Sequence, residues 1–341
     1  MNPNTPRRPG TMRAITQRRY GGPDTLEYGE APRPVAGTGE VLIRVHAASV
    51  NAADWLLMHG EPLVARLAFG LRRPKTSIRG RDVAGVIEEV GSGVTRFAVG
   101  DAVYAEVEAG SFADYTVAPA TRLALMPKRL RFDQAAAVPI AATTALQGIR
   151  DTARVTPGNT VLINGASGGV GSFAVQIAKA FGAEVTGVCS PRNLDLVTSL
   201  GADHVIDYTR EDFATGEQRY DVIVDLVGNR SLAEYRSALT RRGTLALASG
   251  TGGRLLGPIP RMLSALFLGM FVSQNLRPLA AVARGRDLDA LRDLVDAGAV
   301  TPALERIFPL ADAAVALRHF GEQHAKGKIV IAVELQETDS C

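Results

Sequence analysis

Residues 165–171 are the part of the sequence best suited to bind a phosphate group. They read Gly-Ala-Ser-Gly-Gly-Val-Gly and stand between a short apolar run and a segment with apolar residues at helical spacing. Backbone N–H groups at the start of a helix lack helical partners and attract anions, and glycine lets a ligand come close to the backbone. Gly168 and Gly171 fit the second and third glycines of G-x-G-x-x-G, while Ala166 stands at the first. We therefore predict a dinucleotide site formed by Ala166, Ser167, Gly168, Gly169, Val170 and Gly171.

The second predicted strand, residues 184–189, indicates which dinucleotide binds. NAD-binding units place an Asp or Glu about 20 residues past the glycines, where it holds the ribose 2′-hydroxyl. This chain has Cys189 and Ser190 there, with Arg192 just beyond. A guanidinium binds the 2′-phosphate of NADPH through charge-assisted hydrogen bonds of about 1.5 to 3 kcal/mol each, so Arg192 alone predicts a roughly tenfold to hundredfold preference for NADPH. The same residues also suit a helix start, with Ser190 as N-cap and Pro191 in the first turn.

Composition and charge exclude several function classes. A chain of 341 residues, 46% of them hydrophobic, can bury two cores, and 38 basic against 35 acidic residues do not favour a nucleic-acid binder. The two cysteines, Cys189 and Cys341, are too few for a disulfide framework or a Cys-rich zinc site, which favours a cytoplasmic protein. The apolar run at 262–272 is about half as long as a spanning helix, so we predict a buried or pocket-lining segment and no membrane span.

The pattern of apolar residues changes along the chain. Residues 1–11 are polar and proline-rich and are predicted to form a disordered leader. Residues 12–130 show short alternating runs divided by glycines and predict a β-rich domain. Residues 131–275 alternate strands with helices and predict a parallel sheet, and residues 276–341 are expected to return to the first domain. The predicted fold class is therefore α/β, with a β-rich domain and a doubly wound parallel sheet.

Four further motifs, taken with the glycine-rich turn, match one known family. They are residues 48–54 (ASVNAAD), 80–87 (GRDVAGVI), 90–94 (VGSGV) and 100–103 (GDAV). From about residue 12 to residue 333, the chain resembles the medium-chain dehydrogenase/reductase superfamily, in its zinc-free quinone oxidoreductase branch. The resemblance implies a GroES-like catalytic β domain with an inserted Rossmann domain, and a substrate cleft between them.

The resemblance also bears on metal chemistry. Zinc alcohol dehydrogenases of this superfamily carry a Cys where this chain has Asn51 and a His where it has Arg81. A catalytic zinc site needs about three protein ligands, so metal-assisted alcohol oxidation is not expected. Many members of the branch carry a Tyr where this chain has Leu56, so the resemblance does not supply a phenol directed at the substrate.

By similarity, the cofactor is NADPH and contacts residues of several loops. Ser190, Arg192 and Tyr208 would surround the 2′-phosphate. The ribose, the nicotinamide and the rest of the pocket would be contacted by Val227, Ser249, Gly250, Phe271, Val272, Ser273 and Lys328. A homodimer is also implied, with residues 243–247 at the sheet edge and the apolar run at 262–272 in the contact.

The reaction that the resemblance implies is hydride transfer from NADPH to a small hydrophobic quinone or enone. In such enzymes the cofactor carries the difficult chemistry, and the protein orients it against the substrate. The catalytic candidates are Asn51, whose amide would donate to the carbonyl oxygen where negative charge develops, and Asp54 as a proton donor. An alternative stays open, because Asn51 followed by Asp54 also forms an N-cap with an acidic third helical position.

Two other functions compete with a reductase. Residues 165–169 also match G-x-S-x-G, the nucleophile elbow of serine hydrolases, with Ser167 as the nucleophile. Asp225 and either His319 or His324 follow in the chain order of a catalytic triad. That pattern leaves the second strand and its arginine unexplained, so we favour the reductase. A non-enzymatic NADPH-binding sensor or scaffold would keep the nucleotide site without turnover, and it remains an alternative.

Overall fold

The structure is a computed structural model, and it describes residues 10–248, 253–323 and 326–333. The chain divides into two compact units. Among the described residues, the first unit is made of residues 10–140, residues 283–293 and those from 304 to 333. The second unit is made of residues 141–282 and 294–303.

Along the chain, a β-rich part comes first, a part in which strands and helices alternate comes second, and a part that contains both comes last. The β-rich part contains β1 (Thr11–Gln17), β2 (Leu26–Pro32), β3 (Glu40–Val50), α1 (Ala52–His59), α2 (Arg66–Phe69), β4 (Asp82–Val90), β5 (Ala102–Glu106), β6 (Tyr115–Pro119), β7 (Leu123–Leu125) and α3 (Phe132–Ala136). The alternating part contains α4 (Pro139–Leu146), β8 (Thr160–Asn164), α5 (Gly169–Ala180), β9 (Glu184–Cys189), α6 (Leu194–Ser199), β10 (His204–Asp207), β11 (Tyr220–Asp225), α7 (Leu232–Ala238), β12 (Leu239–Leu247), α8 (Ile259–Gly269) and β13 (Asn275–Pro278). The last part contains α9 (Gly285–Asp296), β14 (Leu304–Pro309), α10 (Ala313–Gln323) and β15 (Lys328–Ala332).

The first unit is built on a seven-stranded sheet with the order β14-β15-β3-β4-β5-β7, in which β6 also pairs with β3. β1 and β2 form a separate antiparallel pair. The first half of β3 pairs with β6 and the second half with β15, while β4 pairs along most of its length. β4 and β15 both run antiparallel to β3, so the end of β3 lies beside the starts of β4 and β15. This edge positions the catalytic candidates.

The second unit contains a six-stranded, all-parallel sheet with the order β10-β9-β8-β11-β12-β13. Numbered from β8, this is the 3-2-1-4-5-6 order of Rossmann folds, and its switch point lies between β8 and β11. The parallel sheet predicted from alternating strands and helices is therefore confirmed. The core is formed by apolar side chains of neighbouring strands, such as Leu162, Ile223 and Leu245, which are fully buried.

The observed domain boundaries differ from those expected. α3 packs against β3 and β4, so residues 131–140 belong to the β-rich unit and not to the parallel sheet. At the other end, the second unit extends to residue 282 and also takes in residues 294–303. β1 begins at Thr11, so that position is part of a strand, and the rest of the predicted leader up to residue 9 lies outside the described residues.

Two expectations about the far side of the parallel sheet are wrong. Residues 243–247 belong to β12, which pairs with β11 on one side and β13 on the other, so β13 and not β12 is the edge strand of the described sheet. The apolar run at 262–272 forms most of α8, and its side chains are largely exposed, with Leu263 at 59% and Phe267 at 63%, so of the two alternatives, buried or pocket-lining, the buried one is wrong. Within the described ranges, no helix is both long enough and apolar enough to cross a bilayer.

Candidate functional site

The glycine-rich turn joins β8 to α5 at the carboxyl edge of the parallel sheet. Gly165 has a φ of 90°, which favours glycine, and the N–H groups of Gly165 and Ala166 donate to the Val188 carbonyl oxygen at 3.1 and 3.0 Å. A Cβ added to Gly171 would lie 2.0 Å from the Gly165 carbonyl oxygen, so glycine alone fits there. The turn is thus held tightly against both β9 and its own helix.

The start of α5 has the features of an anion site. Gly168 is the N-cap residue, and in the described structure neither a side-chain cap nor an acidic residue occupies the first turn. A Cβ added to Gly168 would make an ordinary contact, 3.4 Å from the Gly165 carbonyl oxygen, so packing does not require glycine at this position. An open helix start without a competing carboxylate fits the pyrophosphate of a dinucleotide.

The residues predicted to bind the 2′-phosphate lie at the carboxyl ends of β9 and β10. Ser190 is the N-cap residue of a short 3₁₀ helix, Pro191–Asn193, so the helix-start alternative is correct and leaves Arg192 exposed. Tyr208 follows β10, is 53% exposed, and its N–H donates to the Cys189 carbonyl oxygen at 3.3 Å. These residues are therefore brought together at one end of two neighbouring strands.

The structure also places a carboxylate at this end, Asp207, that was not predicted from the sequence. Asp207 closes β10 and pairs with Cys189 in the sheet register. Its Oδ1 accepts hydrogen bonds from the Thr209 N–H at 2.9 Å and the Thr209 hydroxyl at 2.8 Å. Asp207 comes from the third strand of the Rossmann order, whereas the sequence criterion that separates NAD from NADPH binding concerns only the second strand. The Asp-x-Thr pattern, which is typical of a turn held by the Asp side chain, was the sequence feature that could have indicated this residue.

A buried polar network holds the switch point between β8 and β11. Asn164 Nδ2 donates to Asp225 Oδ1 at 3.0 Å, and the same oxygen accepts from the N–H groups of Val227 and Gly228 at 3.2 and 2.9 Å. The guanidinium of Arg261, in α8, pairs with Asp225 Oδ2 at 3.0 Å. The network fixes the loop that presents Val227, a predicted cofactor contact that is 42% exposed.

Three predicted cofactor contacts are misplaced. Phe271, Val272 and Ser273 precede β13, and the Ser273 hydroxyl donates to the Arg241 carbonyl oxygen at 2.7 Å. They lie at the amino edge of the parallel sheet, opposite the glycine-rich turn, so they cannot complete the nucleotide site. Ser249 and Gly250, which were also predicted to bind the cofactor, lie outside the described residues.

Lys328, a predicted cofactor contact, lies with the catalytic candidates of the first unit. Its Nζ donates to Asn51 Oδ1 at 2.5 Å and to the Val50 carbonyl oxygen at 3.2 Å, and it lies 3.5 Å from Asp82 Oδ2. Burial lowers the pKa of Lys328, and the neighbouring carboxylates Asp82 and Asp54 oppose that shift. The lysine is therefore a buried anchor for the Asn51 side chain.

The Asn51 amide is engaged on both ends. Its Nδ2 donates to Asp82 Oδ2 at 2.9 Å and to the Ser49 carbonyl oxygen at 3.4 Å, while its Oδ1 accepts from Lys328. Asp82 in turn accepts from the Ser49 hydroxyl at 2.8 Å and from the Ile140 N–H at 3.0 Å. A substrate oxygen could replace the long contact to Ser49 while the rest of the cluster keeps Asn51 in place.

Asp54 is buried at the start of α1. Its Oδ2 accepts a hydrogen bond from the Asn51 backbone N–H at 2.9 Å, as the N-cap alternative expected. Burial, together with the negative charge of Asp82, raises the pKa of Asp54 from 3.8 to about 7. A carboxyl group with this pKa carries a proton in a large share of molecules at neutral pH, which suits a general acid.

The two positions where zinc-dependent relatives carry ligands are occupied by other interactions. Arg81 Nη2 pairs with Glu106 Oε1 at 2.6 Å, and Asn51 is bound to Asp82 and Lys328 as described. Among residues 10–248, 253–323 and 326–333, no three His, Cys, Asp or Glu side chains gather in a way that could hold a metal ion.

Among the described residues, the candidates for a hydrolase triad have other partners. The Ser167 hydroxyl oxygen accepts a hydrogen bond from Asn193 Nδ2 at 2.9 Å, and Asp225 is paired with Arg261. His319 belongs to the first unit, where its Nε2 lies 3.0 Å from Glu305 Oε1. His324 lies outside the described residues. Each of the described triad candidates thus has a hydrogen-bond or ion-pair partner outside the triad.

Comparison with known proteins identifies the family. Residues 37–128 match the alcohol dehydrogenase GroES-like domain, and residues 200–331 match a zinc-binding dehydrogenase model. The chain is 31% identical to the chloroplast envelope quinone oxidoreductase homolog of Arabidopsis thaliana, covering 94% of this chain and 98% of that protein. It is 32% identical to the chloroplastic NADPH-dependent alkenal/one oxidoreductase of the same plant, covering 95% of this chain and 80% of that protein.

A solved structure gives the same result. The quinone oxidoreductase from Coxiella burnetii superposes with a TM-score of 0.83 at 29% identity, covering 95% of this chain and all of the other (100%). The sequence matches and the shared fold agree with the GroES-like and Rossmann-like units of the structure. The chain therefore belongs to the medium-chain dehydrogenase/reductase superfamily, in its quinone oxidoreductase-like branch, and is an NAD(P)H-dependent oxidoreductase.

Proposed function

We propose that the protein is an NADPH-dependent reductase that transfers a hydride to a quinone or an α,β-unsaturated carbonyl compound without a metal. The observation that carries the proposal is the carboxyl edge of the parallel sheet. An open helix start at Gly168 and the exposed Arg192 beside Ser190 are what a pyrophosphate and a 2′-phosphate require. The names of the relatives, quinone oxidoreductase and alkenal/one oxidoreductase, agree with the proposed substrates.

The residues of the first unit supply the proton and hold the site in place. The cofactor, when bound, supplies the hydride. Asp54 holds a proton on a carboxyl oxygen near neutral pH and gives it to the reduced substrate. Asn51 can direct one amide hydrogen at the substrate carbonyl oxygen, while Lys328 keeps its Oδ1 fixed. No group in this cluster needs a metal to perform these steps.

The proposal is tested by turnover. Purified protein is mixed with NADPH and a panel of naphthoquinones, alkenals and aryl enones, and the loss of NADPH absorbance is followed. We expect saturable oxidation of NADPH with at least one class. Tight NADPH binding without turnover of any compound would instead favour the sensor or scaffold.

Replacing Arg192 with alanine should remove the preference for NADPH over NADH. The guanidinium gives about 1.5 to 3 kcal/mol to the 2′-phosphate, so the dissociation constant for NADPH should rise roughly tenfold to a hundredfold while that for NADH changes little. The measurement is a fluorescence titration with both nucleotides.

The matched control for this variant is Arg242→Ala. Arg242 is exposed near the amino end of β12, at the opposite edge of the same sheet. It should leave both dissociation constants unchanged. An equal loss of NADPH and NADH affinity in the Arg192 variant would assign the arginine to folding and not to recognition of the phosphate.

A homodimer in the cytoplasm also belongs to the proposal, with β13 in place of β12 at the contact. Within the described sheet, β13 has one strand neighbour, so one side of its backbone is left for pairing. The adjoining α8 exposes Leu263, Leu266 and Phe267. A strand edge continuous with an apolar helix face suits a second copy of the same chain.

Changing Leu263 and Phe267 together to glutamate should convert the dimer to a monomer. Two charges in an apolar contact oppose association, and the molar mass from light scattering should fall by half. Leu67→Glu is the control, because Leu67 is 73% exposed in the other unit and should not alter the mass. A wild-type protein that is already monomeric would contradict this contact.

A further inference from the structure

A small cavity of the first unit lies beside Asp54. Its volume is about 30 Å³, and its walls include Asp54, Leu57, Phe69, Ile78, Arg79 and Arg81. One buried water needs about 10 to 15 Å³ in this measure, so the cavity holds about two waters or one carboxylate group. It is too small for a whole quinone or enone, and it therefore suits one end of a substrate.

Two guanidinium groups line this cavity and are incompletely hydrogen-bonded. Arg79 is buried, with 7% of its surface exposed, and its Nη2 donates to the Thr76 carbonyl oxygen. The Nε atoms of Arg79 and Arg81 are both buried and have no hydrogen-bond partner within the described part of the chain. A buried guanidinium with an unpaired donor is costly, and an anion beside it would compensate that cost.

The charges around the cavity leave a positive surplus. Arg81 is paired with Glu106, and Glu108, which also lines the cavity, is paired with Arg122 at 3.4 Å. Across the described residues, no carboxylate forms an ion pair with Arg79. Asp54 is the acidic group of the cavity whose charge acts on Arg79, and its raised pKa keeps it largely protonated below pH 7. A buried cation without a counter-charge is costly, and a monoanion would compensate it.

Most of the remaining residues of the wall are apolar. Leu57, Phe69 and Ile78 face the cavity, and the Tyr20 hydroxyl, on the same wall, donates to the Gly70 carbonyl oxygen at 2.6 Å. We propose that Arg79, together with Arg81, binds a carboxylate on the substrate, so that the preferred quinones or enones are acidic compounds with a hydrophobic body. This inference rests on the proposed reductase function, and it adds the class of substrate that the enzyme selects.

The test compares an acid with its neutral ester. The probes are trans-benzoylacrylate, an aryl enone with a carboxylate, and its methyl ester, each reduced with NADPH by wild type and by Arg79→Gln. The ratio of kcat/KM for the acid to that for the ester is compared between the two proteins, because the intrinsic reactivities of the probes then cancel. We expect this ratio to fall at least tenfold in Arg79→Gln, mainly through KM for the acid.

Two further variants separate charge from fold. Arg79→Lys keeps the charge without the planar fork and should retain part of the preference for the acid. Arg129→Gln, an exposed arginine of the same unit, should leave the ratio at its wild-type value. An unchanged ratio in Arg79→Gln, or an equal loss for acid and ester, would overturn the proposal.

A binding measurement keeps this inference distinct from the proposed function. The saturated analogues, benzoylpropionate and its methyl ester, are titrated into each protein by calorimetry, which requires no turnover. If no compound is reduced but the acid binds more tightly than the ester and loses that advantage in Arg79→Gln, the reductase proposal fails and the carboxylate site stands. If wild type binds acid and ester equally, the carboxylate site fails, whatever the protein reduces and whether or not the variant folds.

Discussion

Gly171→Ala is expected to abolish nucleotide binding and to destabilise the second unit. The added Cβ would lie 2.0 Å from the Gly165 carbonyl oxygen and 2.9 Å from two backbone atoms of Ala166, so the turn itself has to move. Overpacking of this kind costs about 1 to 3 kcal/mol. Because the turn also positions the start of α5, we expect at least a hundredfold rise in the dissociation constant for NADPH, measured by fluorescence titration beside a thermal melt.

Gly168→Ala is the matched variant that separates folding from binding. Its Cβ would make an ordinary 3.4 Å contact, and the φ of −77° at Gly168 is open to alanine. The melting temperature should therefore stay near that of wild type, while the methyl group stands where the pyrophosphate approaches and weakens NADPH binding about tenfold. Wild-type affinity in this variant would place the pyrophosphate somewhere other than the start of α5.

Asp54→Asn is expected to lower kcat by about a hundredfold, the lower end of the contribution of a general acid. The asparagine can still accept from the Asn51 N–H, so the helix cap survives, but it has no proton to give. Since the pKa of Asp54 is raised to about 7, wild-type kcat should be level below pH 7 and fall about tenfold per pH unit above it. The variant should be slow and level across the same range. A variant with wild-type kcat would show that solvent supplies the proton.

The same carboxyl group should make stability depend on pH. Its folded-state pKa lies above the ordinary value of 3.8, so the unfolded chain loses this proton first as the pH rises. The free energy of unfolding should therefore decrease from about pH 4 to pH 7, by at most about 4 kcal/mol at 1.36 kcal/mol per pKa unit, and then level off. Asp54→Asn should remove this decrease, which urea unfolding at several pH values measures. Parallel curves for the two proteins would assign the pH dependence to other groups.

The parts of the nucleotide site that are local in the chain could be predicted from the sequence. The second strand was expected at 184–189 and is β9, Glu184–Cys189, and the glycine-rich turn does precede a helix. Turn chemistry and apolar periodicity act over a few residues, so a pattern of residue types records them. The family, the parallel sheet and the absence of the usual zinc-ligand residues followed from such patterns as well.

Predictions that depended on where distant segments meet were less successful. Phe271, Val272 and Ser273 were assigned to the cofactor because they stand near the last strand, but they precede β13 and lie at its amino end. The apolar run in α8 was expected to be buried or to line a pocket, and its exposure contradicts the first of these alternatives. A short apolar pattern predicts neither the direction in which a strand runs in its sheet nor which face of a helix is covered.

The sequence by itself determined the fold class, the family, the turn that suits a pyrophosphate and the presence of Arg192 just after β9. Only the tertiary structure decided that Lys328 anchors Asn51, which is 277 residues earlier in the chain, and that burial raises the pKa of Asp54. It also decided that Arg79 and Arg81 line one cavity, and that the buried Nε of each has no hydrogen-bond partner among the described residues. The physical reason is that hydrogen-bond partners, desolvation and charge balance depend on the pairing of distant strands, and local sequence patterns do not record that pairing.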